Sequence, residues 1–195
     1  ERGRSLGTLD FGFPIPTDYR LTRSLPGVFA TADWRAESGA RVSLGMRADF
    51  PDDGKTRWTP RTGVEVPLGE GGWSMQGSYA RGFKQPSFFA LGFPLLANPD
   101  LEDELSETME AGLHWQSPDG HWSADATLFR SLYRNLVDFE PELFTNVNRA
   151  RVRAHGLELA ARGDVGRVSL LGALTWMDTD AGADTQLRFR PEWQG

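Results

Sequence analysis

Apolar and polar residues alternate along most of this chain with a period of two. Val42, Leu44, Met46, Ala48 and Phe50 alternate with Arg41, Ser43, Gly45, Arg47 and Asp49. Trp73, Met75, Gly77 and Tyr79 alternate with Ser74, Gln76, Ser78 and Ala80. Met109, Ala111, Leu113 and Trp115 alternate with Glu110, Gly112 and His114, and Trp122, Ala124, Ala126 and Leu128 with Ser123, Asp125 and Thr127. Successive side chains of a strand point to opposite faces, so each segment has one apolar and one polar face. The pattern predicts eight strands, at 28–35, 41–50, 59–67, 72–82, 106–116, 121–130 (with an extension through 136–139), 150–162 and 167–177, and a ninth beginning near 185. Several reach about ten residues, the length a tilted strand needs to cross a bilayer.

The connections alternate in length. Short turns are expected at 37–40, 68–71, 117–120 and 163–166, and longer loops at 51–58, 83–105, 139–149 and 178–184. Short turns on one side and long loops on the other is the layout of an outer-membrane barrel, whose periplasmic turns are short. Trp34, Trp73, Trp115 and Trp122 all lie beside short turns and on the apolar faces of their strands. In a barrel, four indoles then share the headgroup level of the periplasmic side, where an amphipathic ring is favoured. Trp176 falls near the opposite rim. A soluble sandwich offers no reason for indoles to gather at one end.

The polar faces carry Arg47, Asp49, Arg61, Glu65, Gln76, Glu110, His114, Asp125 and Glu158. In a barrel they line a wet lumen or meet a plug; in a sandwich they are solvated. Composition narrows the choice. Only 39% of the 195 residues are hydrophobic, too few for a helical membrane bundle, and no window approaches the roughly 18 apolar residues of a spanning helix. The net charge of −6 and pI near 5.1 argue against a nucleic-acid partner. With no cysteine there is no disulfide framework and no thiolate chemistry.

From Ser78 the chain reads Ser-Tyr-Ala-Arg-Gly-Phe-Lys-Gln-Pro-Ser, bringing Arg81, Gly82, Phe83, Lys84, Pro86 and Ser87 into sequence. It continues through Asn98, Pro99, Leu101 and Glu104 to Glu110 and Gly112. This resembles the barrel of TonB-dependent receptors. There a strand ending in Gly-Phe-Arg/Lys-x-Pro-Ser leads to Gly-Asn-Pro-x-Leu-x-Pro-Glu and then to a strand with Glu-x-Gly. Asn135-Leu136-Val137, then Asn148, Gly156 and Glu158, and then Arg190 and Pro191 resemble later family motifs in the same order. The resemblance covers about 28–191. Ala97 replaces the usual Gly and Asp103 the usual Pro, so the 98–104 segment is expected to bend differently.

The resemblance implies an all-β antiparallel meander of about 8–9 transmembrane strands, part of a larger, about 22-stranded bacterial outer-membrane barrel. Residues 1–27 are then a loop or the end of a preceding strand, and 28–195 a partial barrel truncated at both ends. It also implies import of an iron–siderophore or cobalamin-like nutrient. The partners would be outer-membrane lipid, a small-molecule nutrient chelate and, through a plug not present here, the TonB–ExbB–ExbD energy-coupling complex. No cofactor is expected.

Ligand contacts are expected from Phe83, Lys84, Phe88, Phe89, Phe93 and Phe144, on the long loops. The aromatic run at 88–93 either stacks on a ligand or packs on itself. Metal and catalytic readings lack support. His114, His121 and His155 share no ligand spacing. The acidic residues Asp100, Glu102, Asp103 and Glu104 read as a solvated loop before a calcium site. No nucleophile elbow, phosphate loop or zinc-helix motif occurs, so the chain is not expected to be an enzyme. Two function classes remain: a ligand-gated transporter, or a small self-contained barrel or sandwich with a structural or adhesion role.

Overall fold

A computed structural model describes residues 1–10, 12–52, 55–180 and 193–195. The chain opens with four short strands, β1 (Arg2–Ser5), β2 (Thr8–Asp10), β3 (Pro14–Pro16) and β4 (Tyr19–Thr22). Nine further strands follow: β5 (Gly27–Arg35), β6 (Arg41–Asp49), β7 (Arg57–Pro67), β8 (Trp73–Lys84), β9 (Glu104–Gln116), β10 (Trp122–Glu140), β11 (Thr145–Val165), β12 (Val168–Asp180) and β13 (Trp193–Gln194). A single five-residue helix, α1 (Phe88–Gly92), lies between β8 and β9.

β5 to β13 form one sheet in which every strand pairs antiparallel with its neighbour in sequence. The eight strands expected from the alternation are all present, and the architecture is the expected antiparallel meander. A ninth strand near 185 lies outside the described residues, as do Arg190 and Pro191; Trp193 and Gln194 pair with Trp176 and Thr175.

Among the described residues the sheet is one layer thick and does not close on itself. Among the described residues only Ala48, Ala90, Val152 and Ala154 are buried apolar residues, whereas Leu44, Met75, Leu113 and Leu128 are exposed. A sandwich would hide that face against a second sheet; here nothing covers it. The self-contained barrel or sandwich is therefore set aside. The polar face is knit by side-chain pairs: Arg47 Nη2 to Asp49 Oδ1 at 2.6 Å, His114 Nδ1 with Asp125 Oδ1 at 2.7 Å, Ser78 Oγ donating to Glu110 at 2.9 Å, and Arg41 with Glu65 at 3.6 Å.

At the short-turn end the tryptophans gather as expected. Trp73 and Trp115 face each other across β8 and β9 with ring centroids 6.2 Å apart. Trp122 lies over Gly163, where a Cβ would collide with the indole. The turn between β9 and β10 is tied by Asp119, which accepts from Ser117 Oγ at 2.5 Å and from the His121 N–H at 3.0 Å. The hydroxyl contact chiefly, and the backbone donor next, hold its carboxyl below the ordinary range.

Three expectations need correction. The loop expected at 139–149 is a hairpin: β10 runs to Glu140 and β11 starts at Thr145, leaving a four-residue turn. The expected extension through 136–139 is part of β10, and β11 begins five residues before the expected 150, with Asn135 at φ 57° inside β10. The Asn148 side chain donates to the Asn135 carbonyl at 2.6 Å, supplying that backbone group with a partner. The 83–105 loop is shortened at both ends by β8 and β9 and contains α1, capped by Ser87 Oγ accepting from Ala90 N at 3.1 Å. Within the stretch expected as a loop or strand end, β1 pairs with β4 and β2 with β3, with Arg2↔Thr22 and Thr8↔Pro16 in one register. Its paired strands were too short and too polar to show an apolar face.

Gly156 is tightly packed in the long hairpin, since a Cβ there would run into the Trp176 carbonyl and the Phe129 ring. Gly156→Ala is expected to destabilise the folded barrel by about 1–3 kcal/mol, the scale of overpacking. Urea unfolding followed by tryptophan fluorescence in detergent measures it.

Candidate functional site at the long-loop rim

The long connections meet at one end of the sheet and hold one another in place. Arg23, just after β4, links the first hairpin to the loop between β8 and β9. Its Nη1 donates to the Pro86 carbonyl at 2.8 Å, and its guanidinium lies 4.5 Å from the centre of the Phe88 ring. Its Nη2 also pairs with Glu1 at 2.7 Å. That hydrogen bond, and then the guanidinium charge, hold the Glu1 carboxyl below its ordinary range. Gly92 of α1 lies against Tyr19 and Leu21 of β4.

The same loop is tied on its other side to the β10–β11 hairpin. Asn98 Nδ2 donates to the Asn146 carbonyl at 2.8 Å, and Asn146 Nδ2 to the Leu96 carbonyl at 2.8 Å. Asn148 accepts from the Glu102 N–H at 2.8 Å. Asn146 and Asn148 share the polar-face parity of Val152 and Ala154, which are buried. The loop thus folds over the polar face of the hairpin instead of standing clear of the rim. Asp103 forms an ion pair with Arg57 of β7, both largely buried. The departure from the family's usual Pro therefore supplies a strut.

The expected contact residues divide by what they touch. Phe88 is engaged by Arg23, so it packs within the rim. Phe89, 47% exposed, stacks on Phe93 with centroids 4.6 Å apart. Phe144, 60% exposed, sits at the hairpin tip against Phe139 at 5.5 Å, edge to face. Lys84 lies on the polar face and pairs with Glu104 at 3.0 Å. Phe83 pairs with Leu105 on the apolar face, away from the lumen side.

Most motif residues serve the framework. Ser87 caps α1, Pro86 accepts from Arg23, and Asn98 Oδ1 accepts from the Asp100 N–H at 3.0 Å in a turn through Pro99 to Leu101. Glu104 also accepts from the Val137 N–H at 3.1 Å. Arg81 pairs with Glu107 at 2.8 Å. Gly82 faces Ser106, and Gly112 faces Thr127, where Cβ atoms would be crowded. Glu158 sits opposite Thr127 on the polar face. Arg23 and Asn146 were missed in the sequence, and Asn135 was noted only as part of a family motif. Their partners are 63, 50 and 33 residues away, so only the fold brings them together.

Lower on the polar face a cleft of about 580 Å³ is lined by Asp33, Arg41, Glu65, Gln76 and Glu110, among others. It combines both charge signs with backbone from glycines. Among the described residues no cluster of three or more His, Asp or Glu could hold a metal ion.

Residues 2–195 match the model of the family described as TonB dependent receptor-like, beta-barrel. A vitamin B12 transporter, BtuB, from Vibrio vulnificus is 26% identical over 117 residues, covering 58% of this chain and 19% of the relative. The siderophore receptor PirA from Pseudomonas aeruginosa superposes with a TM-score of 0.72 at 22% identity, over 83% of this chain and 32% of that one. The copper transporter OprC gives 0.71 at 16% identity, over 93% and 33%. The chain thus spans about a fifth to a third of the length of these proteins.

Arg23→Ala is expected to undock the first hairpin from the loop, at a local cost of roughly 1–3 kcal/mol for a charged hydrogen bond and a cation–π contact. Hydrogen exchange of residues 2–22 and 86–98 should speed up together while β9 and β10 stay protected. The lowered Glu1 carboxyl adds a pH arm. Its contribution is present above the ordinary carboxylate range and lost as pH falls through the lowered value. The native hairpin should therefore loosen only in acid.

Proposed function

The chain belongs to the TonB-dependent receptor β-barrel family, an outer-membrane family of bacteria, and we propose that it is part of a ligand-gated active transporter importing an iron–siderophore or cobalamin-like nutrient. The observation that carries this reading is the pairing of an uncovered apolar face with a polar face over which the longest loop folds. The apolar face meets lipid. The polar face, with its cleft of about 580 Å³, meets a plug in the intact receptor. Residues 1–27 then belong to the extracellular surface and the rest to the barrel, which further strands close.

The mechanism needs no covalent step. A ligand held at the rim binds one arrangement of loops and plug better than another, and that difference in affinity shifts the population. Energy from the TonB–ExbB–ExbD complex, acting through the plug, then moves the ligand inward. Phe89 and Phe93 present a stacked aromatic surface to it, and Phe144 a second one at the hairpin tip. Lys84, Asn98 and Asn148 hold the frame.

In the intact receptor, Phe89→Ala/Phe93→Ala should weaken nutrient binding by about 1–3 kcal/mol, the scale of losing aromatic anchors at an interface. Equilibrium titration reads the loss, and heat-modifiability on a gel shows whether the folded barrel is unchanged. Equal affinity in a folded double variant would exclude these rings from the site. In cells lacking the energy-coupling complex, surface binding of radiolabelled nutrient should persist while uptake stops. Uptake continuing at the normal rate would contradict the gated mechanism.

A further inference from the structure

The apolar face changes character abruptly near its long-loop end. From the Trp73–Trp115 pair upward, the rungs of β8 to β12 on this face carry Met75, Gly77, Tyr79, Met109, Ala111, Leu113, and then Ala124 to Leu128, Leu157 to Gly163 and Leu170 to Trp176 on alternate positions. None of these is charged. Five arginines then fall within three successive rungs. Arg130 stands opposite His155, Leu132 opposite Arg153, and Arg134 opposite Arg151; Arg81 shares its rung with Glu107, which is opposite Leu132.

Their orientation is clear from burial. Arg151 and Arg153 are exposed while the intervening Val152 is buried beneath the loop side. Three carboxylates accompany them. Glu107 contacts Arg81 at 2.8 Å and Arg134 at 3.6 Å, Asp180 lies 3.6 Å from Arg153, and Asp178 lies 3.8 Å from His155. Arg130 and Arg151 have no carboxylate partner among the described residues. The patch is therefore net positive on a chain whose formal charge is −6.

Height decides what such a patch can meet. At about 3.3 Å per residue and a tilt near 40°, Arg130 lies about 20 Å and Arg134 about 30 Å above Trp122. The apolar band of a barrel is about 25 Å tall. With the tryptophans at the periplasmic interface, Arg81, Arg134, Arg151 and Arg153 stand at the opposite headgroup level, and Arg130, one rung lower, reaches it with its long side chain, all facing lipid. A cation there has no lumen ligand to serve and meets the headgroups of the outer leaflet.

We propose that this patch binds the phosphorylated headgroup of an outer-leaflet lipid, with its acyl chains on the apolar rungs below. Guanidinium groups suit phosphate because they offer paired donors in a planar fork. Continuity with the apolar rungs favours a lipid over free phosphate. The intramolecular carboxylates keep part of the patch paired when no lipid is bound.

The test uses the intact receptor in detergent, titrated with lipopolysaccharide and with the same lipid after enzymatic removal of its phosphates, read by native mass spectrometry. The phosphorylated lipid should bind the native protein at least about tenfold more tightly. Arg130→Gln/Arg153→Gln should remove most of that preference, and Arg130→Lys/Arg153→Lys should retain it. Inorganic phosphate at the same concentration should not displace the lipid; displacement would overturn the lipid assignment. Equal binding of the two lipids by the native receptor would overturn the proposal, whatever the variants do. So would an unchanged preference in the Gln variant when heat-modifiability shows it folded. Nutrient affinity should be the same in all three proteins, so failure here leaves the transport reading untouched.

Discussion

The backbone ladder between neighbouring strands is the interaction on which the rest of this structure depends. A sheet one layer thick has almost no apolar interior, and among the described residues only four small or branched apolar ones are buried. In hydrocarbon an unpaired N–H or C=O costs several kcal/mol, so pairing has to be nearly continuous across the membrane. The meander meets that demand with the shortest connections available. Each strand's partner is its neighbour in sequence, so loop closure is inexpensive on the short-turn side. The long strands β10 and β11, 19 and 21 residues, carry the same ladder well past the membrane.

That extension has a consequence for the rim. A hairpin projecting from the barrel is a rigid post, and the loop after β8 leans on it through Asn98, Asn146 and Asn148. From the other side Arg23 ties in the first hairpin through the Pro86 carbonyl and the Phe88 ring. Amide side chains suit this work, because each offers donor and acceptor to backbone groups that have left the ladder. The aromatic surface left over, Phe89 with Phe93, is held on a braced loop instead of a loose one. A braced loop loses less conformational entropy when a ligand settles on it.

The two faces of the sheet solve different problems with one alternation. Inward polar groups are paired locally, as in Arg47 with Asp49 and His114 with Asp125. A water-filled or plug-filled lumen tolerates such pairs, whereas lipid does not. The outward face excludes charge through the apolar band and admits it only in the last rungs, where headgroups replace hydrocarbon. Trp73, Trp115 and Trp122 mark the lower boundary of that band, and Arg130, Arg134 and Arg153 its upper one.

Much of this was legible along the chain, because a strand's facing is a local property. Period two in Val42 to Phe50 or Met109 to Trp115 is enough to assign a strand, its lipid face and its lumen face. Tryptophans next to short turns are enough to propose an orientation for the barrel. The family motif from Arg81 to Gly112 placed these strands in a receptor. What the alternation could not reveal depends on partners far away in sequence. Asn135 sits at φ 57° inside β10, and an Asn148 side chain thirteen residues on takes its carbonyl. Phe88 and Phe89 read alike as adjacent loop aromatics, and only Arg23 arriving from another hairpin separates a framework ring from an exposed one. Asp103 read as a departure until Arg57 met it. The five outward arginines come from three strands, and they form a patch only once register sets them in three successive rungs. Sequence determined which way each side chain points; tertiary structure decided what it meets there, because long-range register is set by many weak pairings acting together and by no residue alone.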